Sequence, residues 1–204
     1  RTFGDNQVHI DEVDYIIQSN YPVPTIINAE PNEKDMLIGK EIAKHIPDGA
    51  TIQLGIGGIP NAVAYFLKDK KDLGIHTEMF TNGMMDLIKD GIVTGKKKNY
   101  MPGKHVCAFA FGSEELYKFL DNNPDVYFMR GIEANDPHVV GLNDNQISIN
   151  TTLEVDLTGQ VASESIGHVQ FSGTGGQSDT AVGAQNAKNG KSFIALYSTA
   201  MVRN

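Results

Sequence analysis

At 204 residues, 40% of them hydrophobic and 21% charged, the chain is long enough for one sizeable core, or one core and a piece of another, with an ordinary globular composition. A formal charge of −8 argues against a protein that grips nucleic acid by its phosphates, which needs a basic face; Lys96-Lys97-Lys98, the one basic run, reads as a solvated turn. The single cysteine, Cys107, sits in an apolar run and leaves no disulfide within the chain, which fits a reducing compartment; no apolar run has the length of a signal-peptide core or a membrane span.

Residues 7–10 are strand-like, 11–17 fit strand or helix equally, and 20–24 and 28–31 are proline-punctuated and extended. Residues 1–28 are therefore expected to be the end of a preceding domain with its linker, and 29–204 a second domain. Missing protein is expected on both sides, because the chain opens at Arg1 without an initiator methionine and stops just after the apolar run 192–197. Asn32 offers a helix cap ahead of Glu33 and Asp35, where the helix dipole favours acids, and Ile38, Ile42, Ala43 and Ile46 recur on one face. Pro47-Asp48-Gly49 ends that helix.

Thr51, Ile52 and Leu54 then make a short apolar strand that runs into Gly55-Ile56-Gly57-Gly58, with Ile59-Pro60 opening a helix through 61–68. Free N–H groups at such a turn favour negative charge, whether phosphate or a transient oxyanion. The turn lacks the third glycine of a dinucleotide fingerprint and the Gly-Lys-Ser/Thr of a Walker loop, so a tight turn without a ligand is the competing reading.

Next, Ile75, Thr77, Met79 and Phe80 favour a strand, closed by the turn signal Asn82-Gly83. Glu78 is the anomaly, a carboxylate among bulky neighbours. An edge-strand glutamate facing water is the ordinary reading; against it, successive strand ends in open α/β sheets line one crevice, and Glu78 lies one element after the glycine turn. Helices are expected over 84–88 and 114–120, strands over 105–111, 125–129, 147–149 and 153–157, and a loop over 130–137. The alternation describes an α/β protein, an open mixed sheet with flanking helices, in which 125–171 supplies an antiparallel portion.

A second turn, Gly173-Thr174-Gly175-Gly176-Gln177-Ser178-Asp179, repeats the G-x-G-G pattern and the Ala-Val that follows it, so both turns are expected to converge on one site. Fold duplication without a shared ligand is the alternative. The histidines (His9, His45, His76, His105, His138, His168) have no metal-ligand spacing, and no G-x-S-x-G elbow occurs; a covalent mechanism here must use a carboxylate.

The segments Gly55-Ile56-Gly57-Gly58-Ile59-Pro60-Asn61, His76-Thr77-Glu78-Met79, Asn150-Thr151-Thr152-Leu153-Glu154-Val155-Asp156-Leu157-Thr158-Gly159-Gln160 and the second glycine turn together resemble the acetyl-CoA hydrolase/transferase family. The resemblance runs along nearly the whole chain and is closest to the butyryl-CoA:acetate and 4-hydroxybutyrate CoA-transferases. It implies a CoA-transferase-like fold truncated at both ends, with Glu78 as the catalytic glutamate and the N–H groups of Ile59 and Gly176 as the two halves of an oxyanion hole. Gln53, Leu54, Gly55, Ile56, Gly57, Leu153 and Gly176 match CoA-contacting positions, and Asn135 an asparagine near the nucleophile. Glu154 matches structural strand. Thr180 stands where many relatives carry Phe.

By the same resemblance, coenzyme A is a co-substrate, with no permanently bound cofactor and no metal. The partners are acyl-CoA, short-chain carboxylic acids, a missing N-terminal domain and further copies in a homo-oligomer, with neither nucleic acid nor membrane; the setting is cytoplasmic. The chemistry implied is ping-pong transfer through a glutamyl-CoA thioester. Two rivals stay open: an acyl-CoA hydrolase using the same glutamate, and a non-catalytic CoA- or nucleotide-binding module.

Overall fold

A computed structural model describes residues 1–26 and 30–199; residues 28–29 of the expected linker, the expected domain boundary at 28/29 and the chain end at 200–204 lie outside the described residues. In chain order the elements are β1 (Phe3–Gly4), α1 (Glu33–Ala43), β2 (Thr51–Leu54), α2 (Gly58–Phe66), β3 (Gly74–Phe80), α3 (Asn82–Lys89), β4 (His105–Ala110), α4 (Glu114–Leu120) and β5 (Val126–Phe128). There follow α5 (Gly131–Ala134), α6 (Pro137–Val140), β6 (Gln146–Thr151), the short strands β7 (Glu154–Val155), β8 (Val161–Ala162), β9 (Ser165–Ile166) and β10 (Val169–Gln170), then α7 (Gln177–Asn186) and β11 (Lys191–Ala195).

Among the described residues a seven-stranded sheet runs in the order β1-β5-β4-β3-β2-β6-β11. Every pairing in it is parallel. Parallel neighbours need long crossovers, which the helices supply, and a sheet covered on both faces is apolar along its strands: all of β2 is buried. The α/β architecture is as expected, with one difference. The antiparallel pairing expected in 125–171 occurs outside the large sheet, in two detached ribbons, β7 with β8 and β9 with β10. Each strand there has only two residues, two of the four are exposed at both positions and the other two at one, and none is buried, so nothing draws them into the sheet.

The first helix forms as its cap predicts. Asn32 Oδ1 accepts from the N–H groups of Lys34 and Asp35, and Asp35 Oδ2 accepts in return from the Asn32 N–H at 2.9 Å. Ile42 and Ala43 are buried on its inner face, and Ile46 is buried just beyond its end. Burying side chains of the Ile46 kind stabilises by about 1.5–3 kcal/mol each. Gly39 lets α1 approach α2 closely, since a Cβ there would come within 2.7 Å of Ala62 Cβ.

Four local expectations are corrected; residues Gly131–Ala134, expected within a loop, form α5. Residues 7–10 are not a strand; the strand is β1, paired with β5, and Ile10–Glu12 is a single 3₁₀ turn. Asn82-Gly83, expected as a turn, opens α3, and Asn82 is tied to Ser113 across the fold: its Oδ1 accepts from the Ser113 N–H at 3.0 Å and its Nδ2 donates to Ser113 Oγ at 2.6 Å. Lys98 is not solvated. It is buried at the amino ends of the strands against Gly74, with Nζ donating to the Lys104 carbonyl at 2.7 Å. Burial lowers its pKa to about 7, and burial lowers those of His76 and His105, near the same end, to about 4. The Cys107 thiol is buried and pushed upward by desolvation, hence unreactive.

Candidate active site

β3 is the fourth of seven strands, so Glu78 stands near the carboxyl end of the central strand and the edge-strand reading falls away. Its side chain borders a cavity of about 280 Å³, shared with Gln53, Leu54, Gly55 and Ile56 of the first turn and with Thr174, Gly175, Gly176 and Gln177 of the second. Met79, Phe109, Asn150, Thr151 and Thr180 complete the lining. Two larger depressions, of about 770 Å³ beside Tyr100 and Arg130 and about 710 Å³ around Tyr65 and Asp86, contain neither Glu78 nor a glycine turn. Size alone does not mark this site.

Glu78 Oε2 accepts from Asn135 Nδ2 at 3.0 Å. Asn135 gets there through α5, which it caps, and α5 is anchored by His76, two residues before Glu78 on the same strand: His76 Nε2–H donates to the Ala134 carbonyl at 2.9 Å. Burial holds that imidazole neutral, and a carbonyl can only accept, which assigns the proton to Nε2. His76 is a buried brace.

The glycines of the two turns divide the work. Gly57 and Gly175 have φ of 107° and 59°, backbone that side chains disfavour, and no atom lies where their Cβ would be; they make the bends. Gly176 has an ordinary φ of −99°, but a Cβ there would overlap Glu78 Oε2 and press on Asn135 Nδ2. Gly176 makes room for the carboxylate. Gly58 does the same for Asp35, whose Oδ2 occupies the place of its Cβ.

Of the residues singled out from sequence, the structure gathers Gln53, Leu54, Gly55, Ile56, Glu78 and Gly176 around one cavity, with Asn135 bonded to Glu78. Gly57, Ile59 and Leu153 are not among its lining residues. Gly57 caps α2 immediately beyond Ile56, and Ile59 is buried in the first turn of α2, where N–H groups have no partner within the helix. Leu153 is exposed at the base of the first ribbon, its N–H donating to the Ala162 carbonyl at 3.2 Å. Both oxygens of Glu154 accept from the Gly167 N–H at 3.3 Å, tying the ribbons together.

Met79, Phe109 and Thr180 were not singled out as site residues. Phe109 sits opposite Met79 in the parallel register of β3 and β4 and is 45% exposed. An apolar side chain near the carboxyl end of a strand next to the Glu78 strand is the signal that was available for it. Among the described residues no three His, Cys, Asp or Glu side chains converge as metal ligands, and no helix is long and apolar enough to cross a membrane.

A family model described as the acetyl-CoA hydrolase/transferase C-terminal domain matches residues 112–204. A 4-hydroxybutyrate coenzyme A transferase of Clostridium kluyveri is 48% identical over 98% of the chain and 47% of its own length. A butyryl-CoA:acetate CoA-transferase of Anaerostipes caccae is 42% identical over 94% of the chain and 44% of its own length. The solved structure of a 4-hydroxybutyrate CoA-transferase from Porphyromonas gingivalis superposes with a TM-score of 0.84 at 44% identity, covering 98% of the chain and 47% of that protein. The chain thus spans about half the length of the relatives it matches.

Proposed function

The chain belongs to the acetyl-CoA hydrolase/transferase family, and from that premise we propose that the protein carrying it transfers coenzyme A between a short-chain acyl-CoA, butyryl-CoA first, and a free carboxylate such as acetate. The convergence of Glu78 and both G-x-G-G turns on one cavity carries this reading. The Glu78 carboxylate attacks the thioester carbonyl; the C–S bond breaks, giving an acyl-glutamyl anhydride and CoA thiolate. The thiolate attacks the glutamyl carbonyl of the anhydride and releases the first acid as its carboxylate, leaving a glutamyl-CoA thioester. An incoming carboxylate reverses both steps and leaves as a new acyl-CoA, with Glu78 regenerated.

Each step passes through a tetrahedral oxyanion. The Gly176 N–H, on the turn that abuts Glu78, and the Ile59 N–H, in the first turn of α2, are its proposed donors. Losing one such donor costs about 2.7–4 kcal/mol of barrier stabilisation. Asn135, bonded to Oε2, holds the carboxylate for attack. Gln53, Leu54, Gly55, Ile56, Gly57 and Leu153 are the proposed CoA contacts. The transferases of C. kluyveri and A. caccae are named for different acyl groups, so butyryl preference is the finest part of the proposal. Homo-oligomeric assembly, a cytoplasmic setting and a cleft completed by a further domain belong to the same proposal.

The test is made on the complete protein. After butyryl-CoA addition, borohydride reduces the glutamyl-CoA thioester to an alcohol, and mass spectrometry is expected to find the change at Glu78. CoA transfer to acetate is assayed beside thioester loss without acetate. Thioester loss that ignores acetate identifies a hydrolase; an unmodified Glu78 with neither activity leaves a binding module.

A further inference from the structure

Between the two turns lies a buried polar cluster, three of its four members lining the cavity, that no chemical step above uses. Gln53 on β2, Ser148 and Asn150 on β6, and Thr180 on α7 are each less than a tenth exposed. Gln53 and Asn150 form a reciprocal amide pair, Gln53 Nε2 donating to Asn150 Oδ1 and Asn150 Nδ2 donating to Gln53 Oε1, both at 3.1 Å. Gln53 Oε1 also accepts from Ser148 Oγ at 2.8 Å and from the Ile149 N–H at 3.2 Å.

This cluster touches each turn. A Cβ on Gly55 would come within 3.3 Å of Asn150 Oδ1, and the Gly55 N–H donates to the Ile149 carbonyl at 2.8 Å. On the other side Asn150 Nδ2, whose two hydrogens also serve Gln53 Oε1 and, at 3.0 Å, Ser148 Oγ, makes a longer contact with Thr180 Oγ1 at 3.4 Å, and the Ser148 and Thr180 hydroxyl oxygens lie 3.3 Å apart. Thr180 Oγ1 donates to the Gln177 carbonyl at 3.1 Å, and the Thr180 N–H to the Gly176 carbonyl at 3.0 Å. Buried polar groups are costly unless paired, so Gln53, Ser148 and Asn150 hold one another in place, and the Thr180 hydroxyl lies against that set.

We propose that Thr180 is a positioning residue: through Asn150 and Gln53 it holds the second glycine turn at a set distance from the first, so that amides of both bear on one oxyanion beside Glu78. This rests on the transferase reading. Thr180→Val keeps the side-chain shape and removes the hydroxyl; Thr180→Ser restores it. Hydrogen exchange by mass spectrometry over residues 53–58 and 174–180, with kcat and KM for CoA transfer, reads the two halves of the proposal in the complete protein.

In Thr180→Val, exchange is expected to quicken about tenfold in both turns. The kcat for transfer is expected to fall about tenfold with the acyl-CoA KM within about twofold, and Thr180→Ser to recover both. Faster exchange confined to 174–180 overturns the coupling of the turns. Loosening of both turns with unchanged kcat, or a raised KM at constant kcat, overturns the positioning role. If the wild-type protein transfers no CoA, the transferase reading has failed, and hydrogen exchange alone decides whether Thr180 couples the turns. Should Thr180→Val not fold, Thr180→Ala is read by the same criteria.

Discussion

The first G-x-G-G turn seats Gly58 against Asp35, and the second seats Gly176 against Glu78. The two carboxylates meet similar turns and have different surroundings. Asp35 is 4% exposed and has both oxygens engaged, Oδ2 by the Asn32 N–H and Oδ1 by the Tyr197 hydroxyl at 2.6 Å. That bond raises the Tyr197 pKa, because losing the proton would set a phenolate beside a carboxylate. Glu78 is half-buried, is held by Asn135 through Oε2, and borders a cavity. A carboxylate whose lone pairs are filled caps a helix; one held from a single side with open space before it has a lone pair to give. Accessibility and hydrogen bonding separate the two roles, since the glycine pattern is common to both.

The largest contrast is expected from Glu78→Gln, which keeps the shape and the bond from Asn135. Transfer should fall by at least about a thousandfold, with the melting temperature within a few degrees of wild type. Retained turnover would falsify the nucleophile assignment. Gly176→Ala comes next. Its backbone suits alanine, so the new methyl acts only through its collision with Glu78 and Asn135, and a loss of about ten- to a hundredfold in kcat is expected with little change in melting temperature. An equal loss of stability and activity would mean that Gly176 serves the fold instead.

Asp35→Ala should invert the pattern. It removes the return half of the α1 cap and the Tyr197 partner, for a loss of about 1–2 kcal/mol, or a few degrees of melting temperature, while transfer stays within a few-fold of wild type. A collapse in transfer without loss of stability would make the two carboxylates functional equals.

The last effect belongs to the opposite end of the sheet and does not touch the turns, and it sets the pH at which they are fairly compared. His76 and His105, with pKa values of about 4 against an ordinary 6.5, refuse protons that the unfolded chain binds. Stability therefore falls as pH drops from about 6.5 to about 4. Lys98, at about 7 against 10.5, does the same over a higher window, contributing stability that rises with pH from about 7 to about 10.5, opposed above about 9 by the buried Cys107 thiol. In Lys98→Met the upper rise should vanish while the acid loss remains, as urea unfolding against pH would report. A variant that still gains stability between pH 7 and 10 would place that titration elsewhere.

Local chemistry carried much of this in the order of residues alone. The Asn32 cap, the strand–turn–helix at 51–66, the strand bearing Glu78 and the repeated glycine pattern all depend on neighbours within about a turn of chain, and each was legible. So was the family resemblance, because its motifs are short and contiguous. The contacts that distinguish the two carboxylates are not local. Tyr197 meets Asp35 across 162 positions, and Asn135 meets Glu78 across 57.

Periodicity determined an α/β protein, and the family resemblance supplied Glu78 as the candidate nucleophile. Only the tertiary structure decided that β3 is central, that Lys98 is buried, that the antiparallel strands stand apart, and that Thr180 lies beside Asn150. Strand order and side-chain partnership arise when distant segments bury each other's surface, and periodicity records which face is apolar without recording what covers it.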